Sequence, residues 1–552
     1  PNPRTCCHCK TGQQPNPRTC CHRNTGQQPD PCANRPRSKA PGVVGCAADC
    51  RRYSAGWRFR DLQKEAPQIN SACPQKRNRA LPIPATAVTV LPAVAAVAAL
   101  GKYRATQVTK QNIRYIIMVR IGCHPYADRK HIRHRREMRT PYMNQLLYQH
   151  TESIVAAAIH AVLPDVAVVR ALQGYHFGTG KIVLVAAGKA AWQMANAASA
   201  CLGERITEGV VVTKYGHIKG PIARIRCFEG GHPVPDDGSC RGTQAALDLV
   251  QGLTPQDTVV FLLSGGGSAL LEKTWIPLEE LQDITQQLLG CGADIVEVNT
   301  IRKRLSAVKG GRFAMACAPA QVLCIVLSDV LGDPLDMIAS GPACADSSTC
   351  KDAENVVKKY GLHLSADALA CLRKETPKQI DNVTTRITGS VRELCAAAAD
   401  AAQALGYAPI LLTDQLACQA REAGLFLAEI ALTHQCPANP MAFIAGGETV
   451  VKIIGNGKGG RNQELALAAA PGISGCNAAV FSVGSDGTDG PTDAAGGYVD
   501  GDTLATLRAA QIDPVDSLNQ NDSYTALQAA GGLLFTGPTG TNVNDVAVVL
   551  VR

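Results

Sequence analysis

Short, unbroken apolar runs recur along the latter three-quarters of this chain, each bounded by turn-forming or charged residues. Lys181–Ala187 (KIVLVAA), Val259–Leu263 within Thr258–Leu271 (TVVFLLSGGGSALL), Val322–Leu327 (VLCIVL), Ala408–Leu412 (APILL) and Ala442–Ala445 all have this form. A run this short and this apolar reads as a strand buried on both faces, the mark of a parallel sheet. Between the runs the period changes. Ile154, Ala157, Ala158, Ile159 and Val162 in Leu146–Leu172 predict a helix pair, an Ala-rich helix follows Gly188-Lys189, and Glu422–Leu432 predicts another. Strand alternating with helix predicts an α/β protein, doubly wound to about residue 381, with a second α/β unit emerging near Ile387. The expected domains are 143–381 and 382–552.

The turn after Val259–Leu263 carries the sharpest local signal. Ser264-Gly265-Gly266-Gly267-Ser268 joins a buried strand to a helix start. There, unpaired N–H groups and the helix dipole both face an anion such as phosphate or carboxylate. A tight turn without a ligand would use the same residues, so the weight comes from similar clusters elsewhere. Lys189 stands at a helix start, where a cation is disfavoured unless an anion is present. Asn299–Arg304 with Lys309-Gly310-Gly311-Arg312 is a dense cationic cluster, or else a solvated basic face. Asp329 follows a strand, and Asp486, Asp489 and Asp493 lie in a Gly/Thr/Asp-rich loop. Aspartates so placed can hold Mg²⁺ or accept a hydroxyl proton, and can equally cap helices and form turns. Gly178-Thr179-Gly180-Lys181 lacks the spacing of a P-loop.

Charge divides the chain in a way the hydrophobic pattern does not. Residues 1–142 hold 26 Lys and Arg against 6 Asp and Glu, whereas residues 143–552 hold 29 against 40. The overall +9 therefore sums a basic leader and an acidic body. The leader opens with a direct repeat, PNPRTCCHCKTGQQ and PNPRTCCHRNTGQQ, and contains no methionine before Met118. Its cysteines lack zinc-ligand spacing, since Arg23 replaces Cys9 in the second copy. Arg129–Arg139 could meet RNA or an acidic surface, but aromatic residues and periodicity are too scarce for a nucleic-acid module. Ala85–Leu100 is too short, and interrupted by Pro92, to span a membrane. The expectation is that 1–142 is upstream translation or a disordered basic extension. Body cysteines such as Cys324 and Cys395 sit unpaired in apolar runs, which suits reduced thiols and a cytoplasmic location.

Taken in order, the polar stretches form a set. They are AAGKAA at 186–191, KYGH at 214–217, GHPVPD at 231–236, LLSGGGSAL, NTIRKRLSAVKGGRFA at 299–314 and SDVLGDPLDMIASGP at 328–342. GGETVV, GKGGRNQELAL at 457–467, GSDGTDGPTDAAGG and TGPTGTNVND complete it. In these the chain from Met143 onward, 410 residues, resembles the glycerate 2-kinase family, whose C-terminal half is the MOFRL domain and whose members are often called hydroxypyruvate reductase. Ala187 stands where the family usually has a glycine and Val450 where it usually has a second threonine, and neither departure removes a group with obvious chemistry. The resemblance implies two α/β domains, the first a Rossmann-like parallel-sheet sandwich, the second a smaller MOFRL-type domain, with the active site between them. It implies ATP-dependent phosphorylation of D-glycerate at the 2-hydroxyl, with Mg²⁺, and Lys189 and Arg461 as the catalytic pair. Ser264 to Ser268, Arg302 and Lys309 become candidates for phosphate or carboxylate, and Asp329, Asp486, Asp489 and Asp493 for Mg²⁺ or the base. The implied partners are small molecules, D-glycerate and ATP, with no nucleic acid and no membrane; a homodimer stays open. A reductase would need a dinucleotide fingerprint, and Gly265-Gly266-Gly267-Ser268 is not Gly-x-Gly-x-x-Gly.

Overall fold

The computed structural model describes residues 143–552. The leader and every expectation about it lie outside the described residues. Six strands form the first sheet: β1 (Ile182–Ala187), β2 (Ile206–Lys214), β3 (Ile225–Gly230), β4 (Thr258–Leu263), β5 (Gln321–Leu327) and β6 (Val383–Gly389). They stand in the order β3-β2-β1-β4-β5-β6 and every neighbouring pair is parallel. All residues of β1 and β4 are buried, as unbroken apolar runs require. Successive side chains point to opposite faces. Val183, Val185, Val259 and Phe261 face one core with Ala245 and Ala246 of the helix Asp237–Leu249. Ile182, Leu184, Val260 and Leu262 face the other with Met194, Ala195 and Ala198 of the helix Ala191–Leu202.

The second sheet is mixed. β7 (Ala408–Leu416), β8 (Met441–Gly447), β9 (Ala478–Gly484), β10 (Gly496–Asp500), β11 (Leu533–Leu534) and β12 (Asp545–Val551) take the order β11-β10-β9-β12-β8-β7. β7 runs parallel to β8, and the other pairs are antiparallel. Phe443, Val480, Ala547 and Val549 pack against the helices Ala420–Thr433 and Arg461–Ala469. Ile444, Phe481, Val546 and Val548 pack on the opposite face.

Two elements cross the expected domain boundary. Val383–Gly389 lies beyond residue 381 but pairs with β5 and so closes the first sheet, which moves the break to about Ser390. The helix Gln145–Ala161 opens the described chain, yet Leu147, Ile154, Val155, Ala158 and Ile159 are part of the second sheet's core. The chain therefore enters through one domain before building the other. Side chains of a separate helical layer join in a small apolar cluster beside the first sheet, among them Leu281, Val298, Ile301, Leu305, Val356 and Leu372. Its helices include Leu278–Gly290, Ile295–Leu305, Cys350–Tyr360 and Ala366–Leu372. Among the described residues no single helix is long and apolar enough to cross a membrane.

Candidate active site

In the first sheet the winding reverses between β1 and β4, since β2 and β3 lie to one side and β5 and β6 to the other. Open α/β sheets bind ligands in the crevice at the carboxyl ends of such a pair. The loops leaving β1 and β4 interlock there. Lys189 N donates to Gly265 O at 2.9 Å and Ala190 N to Ser264 Oγ at 3.1 Å. The approach is close enough to demand glycine: a Cβ on Gly188 would sit 2.2 Å from Ser264 Oγ, and its φ is +124°. Gly178-Thr179-Gly180 lies at the other end of the sheet, where Gly180 N bonds Gln256 O just before β4.

Three further groups crowd the turn. A Cβ on Gly265 would lie 2.1 Å from Asp329 Oδ2, at the end of β5. One on Gly266, at φ +85°, would lie 2.9 Å from His232 Nε2 and 3.1 Å from Lys189 Cγ. Lys189, His232, Asp329 and the bare backbone of Gly265-Gly266 thus share one small volume. The Lys189 carbonyl is held by His217 Nδ1 at 2.9 Å and by Thr213 Oγ1 at 3.3 Å. Burial raises the Asp329 carboxyl above the usual range, against the pull of Lys189. Burial lowers the His232 imidazole, and Lys189, Lys214 and His217 push the same way, so His232 is neutral at pH 7.

The second domain faces this cluster with Arg461, the first residue of the helix Arg461–Ala469. Its guanidinium grips Asp545, at the start of β12, through Nε to Oδ2 at 2.5 Å and Nη2 to Oδ1 at 3.0 Å. Nη1 donates to Glu448 Oε1 at 2.8 Å, just past β8. Burial pushes Asp545 up to about 6, opposed by the hydrogen bonding and charge of Arg461. Burial acts against the guanidinium too, but Asp545 and Glu448 outweigh it and hold Arg461 above its ordinary value. Glu448 also acts electrostatically on Asp329. Asp329 and Glu448, two carboxylates, therefore lie between two cations, Lys189 on one sheet and Arg461 on the other. Beside it the TGPTGTN loop approaches the first domain, since a Cβ on Gly540 would lie 2.9 Å from Gln193 Oε1.

The four aspartates singled out for Mg²⁺ or the base do not assemble into one cage, and no group of three or more His, Cys, Asp or Glu among the described residues has metal-holding geometry. Asp489 is buried and accepts from Asn462 N, Asn462 Nδ2, Gln463 N and Gln463 Nε2 at 2.9–3.2 Å. It caps the helix that Gly460 cannot cap, which uses up its lone pairs. Asp493 accepts from Tyr524 at 2.7 Å, and Asp486 closes a turn on Thr488 N at 3.0 Å. Asp329 remains next to Lys189 and the glycine turn.

The cationic run is not a solvated face. Lys303 and Arg304 are buried in ion pairs with Asp346. Lys309 is fully buried 2.9 Å from Glu272 and donates to Leu271 O, so an anion could reach its ammonium only by displacing Glu272. Ser264 Oγ is committed to Ala190 N, and Ser268 Oγ lies 3.2 Å from Ser340 Oγ. The sequence reading assigned no role to His232, Glu448 or Asp545, although GHPVPD, GGETVV and TGPTGTNVND contain them.

Comparison with known proteins decides what this arrangement belongs to. Residues 150–373 match a family model described as a domain of unknown function, DUF4147, and residues 441–545 match the MOFRL family. The chain is 51% identical over 405 residues to D-glycerate 2-kinase of Thermotoga maritima, covering 72% of this chain and 97% of that one. The chain belongs to the glycerate 2-kinase family. A solved structure of glycerate kinase from Thermotoga maritima superposes with a TM-score of 0.72 at 50% identity, covering 74% of this chain and all of the other. A putative hydroxypyruvate reductase of Agrobacterium vitis is 41% identical, over 72% of this chain and 93% of its own. In this glycerate 2-kinase family member both family models fall inside the described residues, one on each sheet.

Proposed function

We propose that this protein transfers the γ-phosphoryl group of ATP to the 2-hydroxyl of D-glycerate, giving 2-phosphoglycerate and ADP. What supports the reading is the linkage of Lys189 and Arg461, from two different sheets, through Asp329 beside the Gly265-Gly266 backbone and Glu448 beside Arg461. Phosphoryl transfer asks a protein chiefly to position the reactants and to neutralise charge on the transferring group. Lysine supplies a point charge and arginine a planar fork, both suited to phosphate oxygens. Asp545 fixes that fork, while Glu448, exposed and singly bonded, is the partner that an incoming phosphoryl group displaces. The glycine turn offers N–H groups to the nucleotide phosphates. Neutral His232 and Asp329, with its raised pKa, are the groups beside Lys189 able to accept the hydroxyl proton.

Mg²⁺ suits this donor set. It typically takes one or two carboxylates together with substrate phosphates, and Asp329 and Glu448 face the cleft from opposite sheets. Bound there it would offset charge on the phosphates, and Asp489 would take no part because its oxygens are occupied.

The regiochemical test is direct. Product formed from D-glycerate and ATP is passed to enolase alone, or to enolase with phosphoglycerate mutase. A signal with enolase alone identifies 2-phosphoglycerate, and a signal that requires the mutase identifies the 3-phosphate and overturns the assignment. NADH oxidation with hydroxypyruvate, run alongside, tests the reductase reading suggested by the name of the Agrobacterium vitis relative.

A further inference from the structure

We propose that Arg302 binds the carboxylate of the hydroxy-acid substrate, an assignment that rests on the kinase reading above. Every other cation of the run from Asn299 to Arg312 has its partners within the protein. Lys303 Nζ lies 3.0 Å from Asp346 and 3.2 Å from Asp336. Arg304 lies 3.6 Å from Asp346 and 3.4 Å from Glu375, and donates to Ser348. Lys309 is matched by Glu272, and Arg312 donates to the carbonyls of Lys303 and Ser306. Arg302 differs. Its side chain is half-buried, its Nε alone is sealed from solvent and bonds nothing, and it makes no hydrogen bond or ion pair with the described residues. The one carboxylate that acts on it is Glu272, which already neutralises Lys309. A half-buried cation and a fully buried one thus share one buried anion, leaving one positive charge over.

A charge partly withdrawn from water without a full counter-ion is unfavourable, and the open end of the Arg302 guanidinium is free to meet one. The C-terminal turn of the helix Ile295–Leu305 favours a cation, but its partial charge falls well short of a full counter-charge. A ligand carrying a single negative charge balances the cluster. Position points the same way. Asn299, one turn earlier on the same helix face, accepts from Ser340 Oγ at 2.8 Å, and Ser340 Oγ lies 3.2 Å from Ser268 Oγ in the glycine turn. The helix bearing Arg302 is therefore tied to the anion cradle itself. With Lys189 and Arg461 given to the phosphoryl group, Arg302 is left for the acid end of the substrate, where a fork and a planar carboxylate match bidentately.

The test compares wild type with Arg302→Met and, should that variant fold poorly, Arg302→Lys. Steady-state kinetics use D-glycerate and its neutral amide, glyceramide, as acceptors, and calorimetry follows ADP and D-glycerate binding. Removing a charged hydrogen-bonding partner is expected to raise the KM for glycerate roughly 30- to 100-fold. ADP affinity should stay within about twofold, glyceramide should react equally with both enzymes, and added methylguanidinium should restore part of the lost glycerate activity. An unchanged glycerate KM in a folded variant overturns the assignment, as does a loss of ADP affinity in its place. If wild type phosphorylates no hydroxy acid, the kinase reading fails, and calorimetry still decides Arg302. Glycerate binding that disappears in the variant supports it, and equal or absent binding in both proteins overturns it.

Discussion

Two ion pairs, one partly and one wholly buried, set the residue-scale behaviour of this protein with opposite consequences. Asp545 holds Arg461 bidentately from a site where burial lifts its pKa to about 6. Above that pH the carboxylate is ionised and fixes the guanidinium plane; below it the acid gains a proton and loses part of its grip. The kcat of wild type is therefore expected to fall on the acid side with a midpoint near pH 6. Asp545→Asn should lower kcat at every pH and abolish that limb, while Glu448→Gln, altering an exposed partner, should keep it. A flat wild-type profile between pH 5 and 8 would count against this role. Lys309 and Glu272 form the other pair, wholly enclosed. Lys309→Met leaves Glu272 buried and unpaired, so stability should drop by about 3–5 kcal/mol in urea titration, whereas Lys309→Met with Glu272→Leu should recover most of it. If the single variant keeps its stability and loses nucleotide affinity, Lys309 is a ligand group after all.

At the scale of elements, the glycine turn is the part most exposed to single changes. Gly266→Val places a branched side chain at φ +85°, against His232 and Lys189 Cγ. Backbone strain of this kind costs about 1–3 kcal/mol, which a protein of this size survives. The nucleotide, however, is pushed off the N–H groups. ADP affinity by calorimetry should fall at least tenfold with a modest loss in Tm, and unchanged affinity in a folded variant would refute the cradle. This turn and Lys189 were legible in the sequence because buried parallel strands are apolar throughout and announce where they end. The same physics hid other elements. β3 (IRCFEG) and β6 (VTTRITG) are edge strands, carry polar residues, and lack a continuous apolar run. For the cationic helix a solvated face stayed open beside a ligand role, because charge runs normally are solvated; its ion pairs depend on Asp346, Glu375 and Glu272, distant in sequence. His232, Glu448 and Asp545 had no local signal that could set them apart, because their meaning arises from partners distant in sequence, the glycine turn for His232 and Arg461 for the two acids.

The described residues build two sheets whose loops meet at Asp329 and Glu448, and the first described helix belongs to the later-built sheet. A chain starting at Met143 retains both sheets and should keep glycerate phosphorylation within about twofold of the full chain. One starting at Pro164 lacks Leu147, Ile154 and Ile159, opens the second core, and should be insoluble or inactive. If it folds and turns over normally, the helix is dispensable and the packing argument fails. The deepest consequence of the shared site is non-additivity. Lys189 is positioned by β1 and the glycine turn, Arg461 by Asp545 and a helix of the other sheet. If both charges meet one transferring phosphoryl group, either alone is nearly as ineffective as neither. Lys189→Ala and Arg461→Ala should each lower kcat about a hundredfold or more while the protein stays folded, and the double variant should lose far less than the product. Arg461→Lys should also be impaired, because a point charge cannot be gripped by Asp545 and still present a second edge to phosphate. Losses that multiply in full would mean that the two cations act on separate steps, and a near-normal kcat with a raised KM for glycerate would reduce them to substrate binders.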